Sequence, residues 1–115
     1  MDSASLLAYC ESRAGWLREM VETLVGLESP STDKAAVDRC GAELASRLEV
    51  LGGRVTRLVQ PVRGNHLRAE FEGSARQVLV LGHVDTVWEV GRIEQMPLRE
   101  QGGRLYGPGV FDMKA

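Results

Sequence analysis

The chain has 115 residues, 43% of them hydrophobic, and a formal net charge of -2, which is enough material for one small domain. Acidic and basic residues are interspersed, so no basic stripe indicates nucleic acid as a partner. The uninterrupted apolar run Val78–Leu81 has four residues, far fewer than the roughly 18 to 20 that cross a bilayer, so no membrane partner is expected. The N-terminus lacks the charge pattern of a secretory signal, which predicts a cytoplasmic location.

Two helices are predicted in the first half of the chain. Apolar residues at helical spacing predict an amphipathic helix from Ser5 to about Leu27. Ser31 and Thr32 are both candidates for the N-cap of a second helix, which the Gly52-Gly53 pair ends. The apolar positions of this second helix are Val37, Cys40, Leu44, Leu48 and Leu51.

Strands are predicted after the helices. Alternating residues predict strands over Arg54–Val59 and Leu67–Phe71, and the continuously apolar Val78–Leu81 predicts a strand buried on both faces. Gly102-Gly103 predicts a hairpin turn that leads into Arg104–Tyr106. This order of elements predicts an α/β fold, in which helices cover a mixed β-sheet in a layered αβα arrangement without an internal linker.

Some residues that often carry chemistry are assigned structural roles. Cys10 and Cys40 lie in helical patterns without a Cys-x-x-Cys motif, which favours two buried, reduced thiols. Trp16 is predicted to lie in the core. Trp88 is predicted to pack under a loop, with the border of a substrate pocket as the alternative. His66 begins a strand and is predicted to lie at the surface or a sheet edge.

His83 and Asp85 follow the predicted buried strand directly, and ligand sites in open α/β sheets gather at the carboxyl ends of strands. A neutral His83 ring could give one nitrogen to Zn²⁺ while the Asp85 carboxylate accepts a hydrogen bond from the other nitrogen. The alternative is a histidine satisfied by a backbone carbonyl, with Asp85-Thr86 as a simple turn. On the His-x-Asp motif alone, this alternative is the more common outcome.

A second motif changes the preference between a zinc site and a simple turn. Gly82-His83-x-Asp85-Thr86-Val87 is followed by Tyr106-Gly107-Pro108-Gly109-x-x-Asp112-Met113-Lys114, with His83 and Asp112 separated by 29 positions. The two blocks, their order and their spacing resemble the co-catalytic zinc peptidase and deacylase family. This family contains glutamate carboxypeptidase, acetylornithine deacetylase, succinyl-diaminopimelate desuccinylase and aminoacylase. The Gly-Pro-Gly form is most similar to the glutamate carboxypeptidase branch, and the resemblance covers almost the whole chain.

The resemblance implies a role for each site residue. His83 matches a zinc ligand, Asp112 matches the carboxylate that bridges two Zn²⁺ ions, and Asp85 matches the catalytic acid that orients or tunes the site. Co²⁺ and Mn²⁺ are alternative metals. The resemblance also implies a cis peptide bond between Asp112 and Met113, and Gly107 and Gly109 would allow the backbone a tight turn and a close approach. The alternative is an ordinary glycine turn that caps a helix starting at Met113.

The resemblance also implies that the site is incomplete. The family's glutamate base and its remaining ligands lie beyond the Asp-Met-Lys motif, so residues 1–115 are expected to be the N-terminal portion of a metallopeptidase catalytic domain. The remainder and a dimerisation domain would be absent, and the fragment is expected to be inactive and prone to aggregation. The expected parent, with homodimerisation left open, cleaves an amide bond next to a free carboxylate in a small peptide. Alternatives are a deacylase of N-acyl amino acids and a non-catalytic binding module or pseudoenzyme.

Overall fold

The computed structural model describes residues 2–115. No helix in this range combines the length and apolar character needed to cross a membrane. The helices are α1 (Ser3–Ser12), α2 (Ala14–Gly26), α3 (Lys34–Val50) and the short α4 (Arg92–Gln95). The strands are β1 (Arg54–Leu58), β2 (His66–Glu70), β3 (Arg99–Gln101) and β4 (Arg104–Tyr106), and a wide turn, Val110–Lys114, closes the chain.

The first predicted helix is divided into α1 and α2 at Arg13. The Ser12 hydroxyl donates to the Tyr9 carbonyl at 2.7 Å, and the Arg13 N–H donates to the Cys10 carbonyl at 3.0 Å. These contacts tighten the last turn of α1 and compete with continuation of the helix. No residue of α1 is buried, so the prediction that Cys10 is buried is wrong.

Helix α3 forms where the sequence predicts it, but its N-cap is Asp33. One carboxylate oxygen of Asp33 accepts a hydrogen bond from the Ala36 N–H at 2.9 Å, which satisfies one of the free donors of the first turn. The predicted caps, Ser31 and Thr32, are therefore wrong by one or two positions. At the other end, Gly52 adopts a left-handed conformation (φ 91°), as expected for a helix C-terminus.

The two strands predicted after α3 and the hairpin predicted at Gly102-Gly103 are present. Strands β1 and β2 pair antiparallel, with Arg54 opposite Glu70 and Leu58 opposite His66. Strands β3 and β4 pair antiparallel around Gly102 and Gly103, whose φ angles of 58° and 73° suit a tight two-residue turn. These pairs are two separate two-stranded sheets.

The predicted buried strand Val78–Leu81 is wrong for this chain. The segment has no regular secondary structure, and its four side chains are 83–90% exposed. A strand needs hydrogen-bonding neighbours and cover on its apolar faces, and within residues 2–115 no strand pairs with this segment. The fold is therefore α/β in the general sense of mixed helices and strands, and the layered αβα arrangement around a mixed sheet is not confirmed.

A small core lies where α2 and α3 meet the final turn. Cys40 is fully buried in it, as predicted. Trp16 is 38% exposed and lies outside it, so the prediction of a core tryptophan is wrong. The buried apolar residues are Leu24, Val25, Ala36, Val37, Cys40, Ala45 and Val110.

Candidate metal centre

The three predicted site residues lie together on one side of this core. The Nε2 atom of His83 is 3.0 Å from Oδ1 of Asp112, although the residues are 29 positions apart. The Oδ1 atom of Asp85 is 3.4 Å from Nδ1 of His83. The side chains of His83 and Asp112 are 46% and 74% exposed, so solvent reaches the cluster directly.

The orientation of the His83 ring is fixed by the backbone of Asp85. The Nδ1 atom lies 3.0 Å from the Asp85 carbonyl oxygen. Because a carbonyl only accepts, Nδ1 must carry the hydrogen, and the neutral ring then presents a lone pair at Nε2. The expected acceptor was the Asp85 carboxylate, but the carbonyl of the same residue is closer. Nδ1 is nevertheless held by Asp85, and Nε2 faces Asp112.

Two groups with lone pairs that face each other at 3.0 Å need a proton or a cation between them. Zinc bonds to histidine nitrogen and carboxylate oxygen are about 2.0–2.2 Å long, so a bent N–Zn–O arrangement fits a separation of this size. Imidazole and carboxylate are also chemically suitable zinc ligands. Within residues 2–115, no group of three or more His, Cys, Asp and Glu side chains is placed to hold a metal ion. The assignment of His83 and Asp112 as metal ligands therefore stays a prediction.

The same surroundings affect protonation of His83. The hydrogen bond to the Asp85 carbonyl raises the pKa of His83. Burial opposes this increase, and the negative charges of Asp112 and Asp85 add to it. A protonated ring donates to Asp112 through Nε2. A metal ion and a proton therefore compete for the same lone pair, as is general for histidine ligands.

Lys114 anchors the turn that carries Asp112. Its Nζ atom donates to the carbonyl of Leu24 at 2.7 Å and to that of Leu27 at 2.9 Å. These carbonyls lie at the C-terminal end of α2, where backbone acceptors are unpaired and a cation is favourable. Burial lowers the pKa of the Lys114 amine, and Cys40 and Glu28 act in the opposite direction. Sequence reasoning missed this role, because nothing local shows that this lysine is buried.

Gly107 and Gly109 both lie close to neighbouring side chains. A Cβ at Gly109 would lie 2.7 Å from Cγ2 of Thr86, and φ of Gly109 is 79°. A Cβ at Gly107 would lie 2.9 Å from Cδ1 of Leu98. The neighbours are thus Thr86, in the turn after His83, and Leu98, the residue before β3. The Asp112–Met113 peptide bond is cis, as the resemblance implies, and the backbone angles of Asp112 and Met113 are non-helical.

The loop between α2 and α3, residues 27–33, holds the segment that carries His83 and Asp85. The Ser29 hydroxyl donates to the Val84 carbonyl at 2.6 Å, and the Ser31 hydroxyl donates to Oδ2 of Asp85 at 2.5 Å. The sequence predicts Ser31 only as a candidate cap, and neither contact was predicted. The sequence carries no signal for them, since the partners are 55 and 54 residues away.

Trp88 is half-buried beside an open depression of about 570 Å³ lined by residues 87–92, 94 and 95. The Arg92 guanidinium lies 5.4 Å from the Trp88 ring centre, within the range of a cation–π contact. The Glu28 carboxylate accepts from the Gly91 and Ile93 N–H groups at 2.8 and 2.9 Å, which fixes one wall. His66 is exposed on β2, as predicted.

Comparison with known proteins adds an independent observation. The chain is similar to Carboxypeptidase G2 of Pseudomonas sp. (strain RS-16), with 32% identity over 97 residues. The similarity supports the glutamate carboxypeptidase branch. The matched region covers 82% of this chain and 23% of the relative, so the chain spans about a quarter of the length of the curated relative it matches. No protein-family model matches the chain.

Proposed function

We propose that residues 1–115 are the N-terminal part of a metal-dependent, carboxypeptidase-like hydrolase that cleaves an amide bond next to a free carboxylate. The observation that carries the proposal is the 3.0 Å approach of His83 Nε2 to Asp112 Oδ1, with Nδ1 already committed to the Asp85 carbonyl. The 32% identity to Carboxypeptidase G2 supports the same class of enzyme.

Each site residue has one role in this proposal. His83 and Asp112 would hold the metal, with Zn²⁺ as the proposed metal and Co²⁺ or Mn²⁺ as alternatives, and the complete site would hold two ions. Asp85 holds the His83 ring in the tautomer that leaves Nε2 free. When bound, zinc supplies the Lewis acidity that activates water and polarises an amide carbonyl. The substrate is proposed to be a small peptide.

The proposal requires protein groups beyond those of this chain. Hydrolytic zinc sites use about three protein ligands per ion, and a hydrolase needs a base for the proton of the attacking water. His83 and Asp112 supply two ligands. The 115-residue chain is therefore proposed to be inactive alone, and the whole protein, with homodimerisation as one option, is proposed to be the enzyme. A cytoplasmic location remains a prediction.

Exposed apolar surface supports the proposal that this chain is one part of a larger catalytic domain. Val78–Leu81 expose four aliphatic side chains in succession, and the Phe111 side chain beside Asp112 is 99% exposed. Surfaces of this kind mark interaction sites or aggregation hazards. In the whole protein they are proposed to be covered by further parts of the catalytic domain.

The test uses the protein purified from its source. Its zinc content is measured, and it is assayed with N-blocked dipeptides that keep a free carboxylate and with N-acetyl amino acids. Zinc-dependent cleavage of the dipeptides is the expected result. Preference for the N-acetyl amino acids would identify a deacylase instead. Absence of zinc and of both activities would contradict the proposal and favour a binding module.

Two variants and a control assign the ligands. His83→Ala and Asp112→Ala are expected to lower kcat/KM by more than the roughly 10- to 100-fold that is typical when an outer partner of a ligand is lost. His66→Ala is the matched control, because His66 is exposed on β2 outside the cluster, and it is expected to behave as the wild type. Zinc-dependent hydrolysis by a purified chain ending at Ala115 would contradict the proposed division of the site.

A further inference from the structure

We propose that Ser31 is a positioning residue of the metal centre and acts on His83 through the Asp85 carboxylate. The inference rests on the proposed function. It concerns a side chain in the loop between α2 and α3, 52 positions before His83 in the sequence. Ser31 contacts neither candidate ligand. Its role is to hold the Asp85 carboxylate, which in turn holds the His83 ring.

The contact between Ser31 and Asp85 is short and charge-assisted. The Ser31 hydroxyl oxygen is 2.5 Å from Oδ2 of Asp85 and 3.1 Å from the Thr86 carbonyl oxygen. A hydroxyl has one hydrogen to donate, and the closer, ionised oxygen is the stronger acceptor. Hydrogen bonds from a hydroxyl to a carboxylate are about 2.5–2.7 Å long and roughly twice as strong as neutral ones.

Ser31 is free for this contact because another residue caps α3. Asp33 accepts the Ala36 N–H, so the Ser31 hydroxyl has no part in starting the helix. Its proximity to Asp85 is therefore not a by-product of capping.

The backbone on both sides of the contact is fixed. The Ser31 N–H donates to the Thr86 carbonyl at 2.9 Å, and the Thr86 N–H donates to the Ser29 carbonyl at 2.8 Å. The side chain of fully buried Ser29 bonds the Val84 carbonyl at 2.6 Å, and Arg63 donates to the Ser31 carbonyl at 3.2 Å. These bonds set the register between the two segments, so Ser31 cannot move with Asp85 if that carboxylate rotates.

The hydrogen bond from Ser31 affects the His83 ring through Asp85. With Oδ2 tied to Ser31, the other carboxylate oxygen of Asp85 stays 3.4 Å from Nδ1 of His83. The carbonyl of the same residue stays 3.0 Å from Nδ1. Both acceptors then hold the ring with Nε2 directed at Asp112. Loss of the Ser31 hydroxyl frees the carboxylate to rotate and removes part of this constraint.

The experiment measures zinc affinity by competition with a chromophoric chelator, and kcat/KM, in the whole protein. Ser31→Ala is expected to weaken zinc binding and to lower kcat/KM, each by up to about 10- to 100-fold, the range for residues that orient a metal ligand. Ser31→Thr keeps the hydroxyl and is expected to restore both values to near the wild type. Ser74→Ala removes an exposed hydroxyl that bonds only within residues 74–76, and no change is expected.

A double-variant cycle separates action through Asp85 from a general structural effect. In an Asp85→Ala background, Ser31→Ala is expected to have little further effect, because the carboxylate through which it acts is absent. Should Ser31→Ala fail to fold, as judged by thermal unfolding, Ser31→Cys takes its place, since a thiol is a weak donor of similar shape.

Three outcomes overturn the inference. The first is wild-type zinc affinity and kcat/KM in the folded variant, and the second is failure of Ser31→Thr to rescue. The third is an undiminished effect of Ser31→Ala in the Asp85→Ala background. A wild-type protein that binds no zinc and hydrolyses neither class of probe would instead overturn the proposed function, and the inference with it.

Discussion

Two irregular segments of this molecule have opposite surroundings. The loop 27–33 is polar, yet Ser29 is fully buried and its hydroxyl and that of Ser31 both bond residues of the candidate centre. The segment 72–81 ends in four aliphatic residues, yet Val78–Leu81 are 83–90% exposed. Hydrogen-bonding partners from distant parts of the chain order irregular backbone, whereas apolar composition buries a segment only when other elements cover it.

The largest expected difference between the two regions is in the free energy of unfolding when a leucine in each is replaced by alanine. Leu24 lies in the core beside the loop and is 7% exposed, whereas Leu79 is 85% exposed. Leu24→Ala is expected to lower the free energy of unfolding of the 115-residue chain by about 2–5 kcal/mol. Leu79→Ala is expected to change it by less than about 0.5 kcal/mol. Urea unfolding followed by circular dichroism measures both.

The same pair tests whether the whole protein covers Val78–Leu81. If it does, Leu79→Ala becomes a core substitution there and is expected to cost about 2–5 kcal/mol. A cost of that size already in the 115-residue chain would contradict the exposed position of Leu79. A negligible cost in the whole protein would contradict the proposed cover.

The next effect concerns the anchor of the Asp112 turn. Lys114→Met removes a buried cation from two carbonyls at the end of α2. Because hydrogen bonds to charged groups contribute about 1.5–3 kcal/mol, a loss of this size in the free energy of unfolding is expected. The matched control is Lys34→Met, because the Lys34 ammonium is partly exposed in an i,i+4 pair with Asp38. A cost within about 1 kcal/mol is expected for the control. Equal costs in urea unfolding would show that Lys114 is no special anchor.

Two glycine substitutions compare the turn that carries Asp112 with helix α2. Gly109→Ala places a methyl group 2.7 Å from Thr86 at φ 79°, and a left-handed residue with a side chain alone costs about 1–2 kcal/mol. Gly15→Ala, in α2 with nothing within 4 Å of the added atom, is expected to stabilise by about 0.5–1 kcal/mol. Thermal unfolding should therefore shift in opposite directions. A shift in the same direction would refute the close contact between the Asp112 turn and Thr86.

The smallest expected effect is a pH dependence away from the centre. The Asn65 N–H, and then the Lys34 ammonium, hold the pKa of Asp38 below its usual value of 3.8. Because the folded-state pKa is the lower one, this stabilisation is present above the unfolded value and is lost as pH falls through the folded value. Asp38→Asn is expected to flatten the loss of stability below about pH 4. Urea midpoints across the acidic range measure it, and an unchanged slope would contradict the prediction.

The sequence predicted what local signals encode. Alternation of residues and the Gly102-Gly103 pair gave both hairpins, and helical periodicity gave α3. The proximity of His83 and Asp112 was predicted from the resemblance of the two motif blocks to a known family. No local sequence rule places residues 29 positions apart in contact. Burial of Lys114 and the bond from Ser31 to Asp85 depend on contacts across the chain, which single-residue patterns do not carry. The exposure of Val78–Leu81 was missed for the same reason.

Native mass spectrometry of the protein isolated from its source reports polypeptide mass and bound metal in one spectrum, and is the first measurement to make. We expect a polypeptide several times heavier than the 12.6 kDa of this chain, carrying zinc that is lost in the Asp112→Ala variant. A polypeptide of 12.6 kDa without metal, or zinc content unchanged by Asp112→Ala, would contradict it.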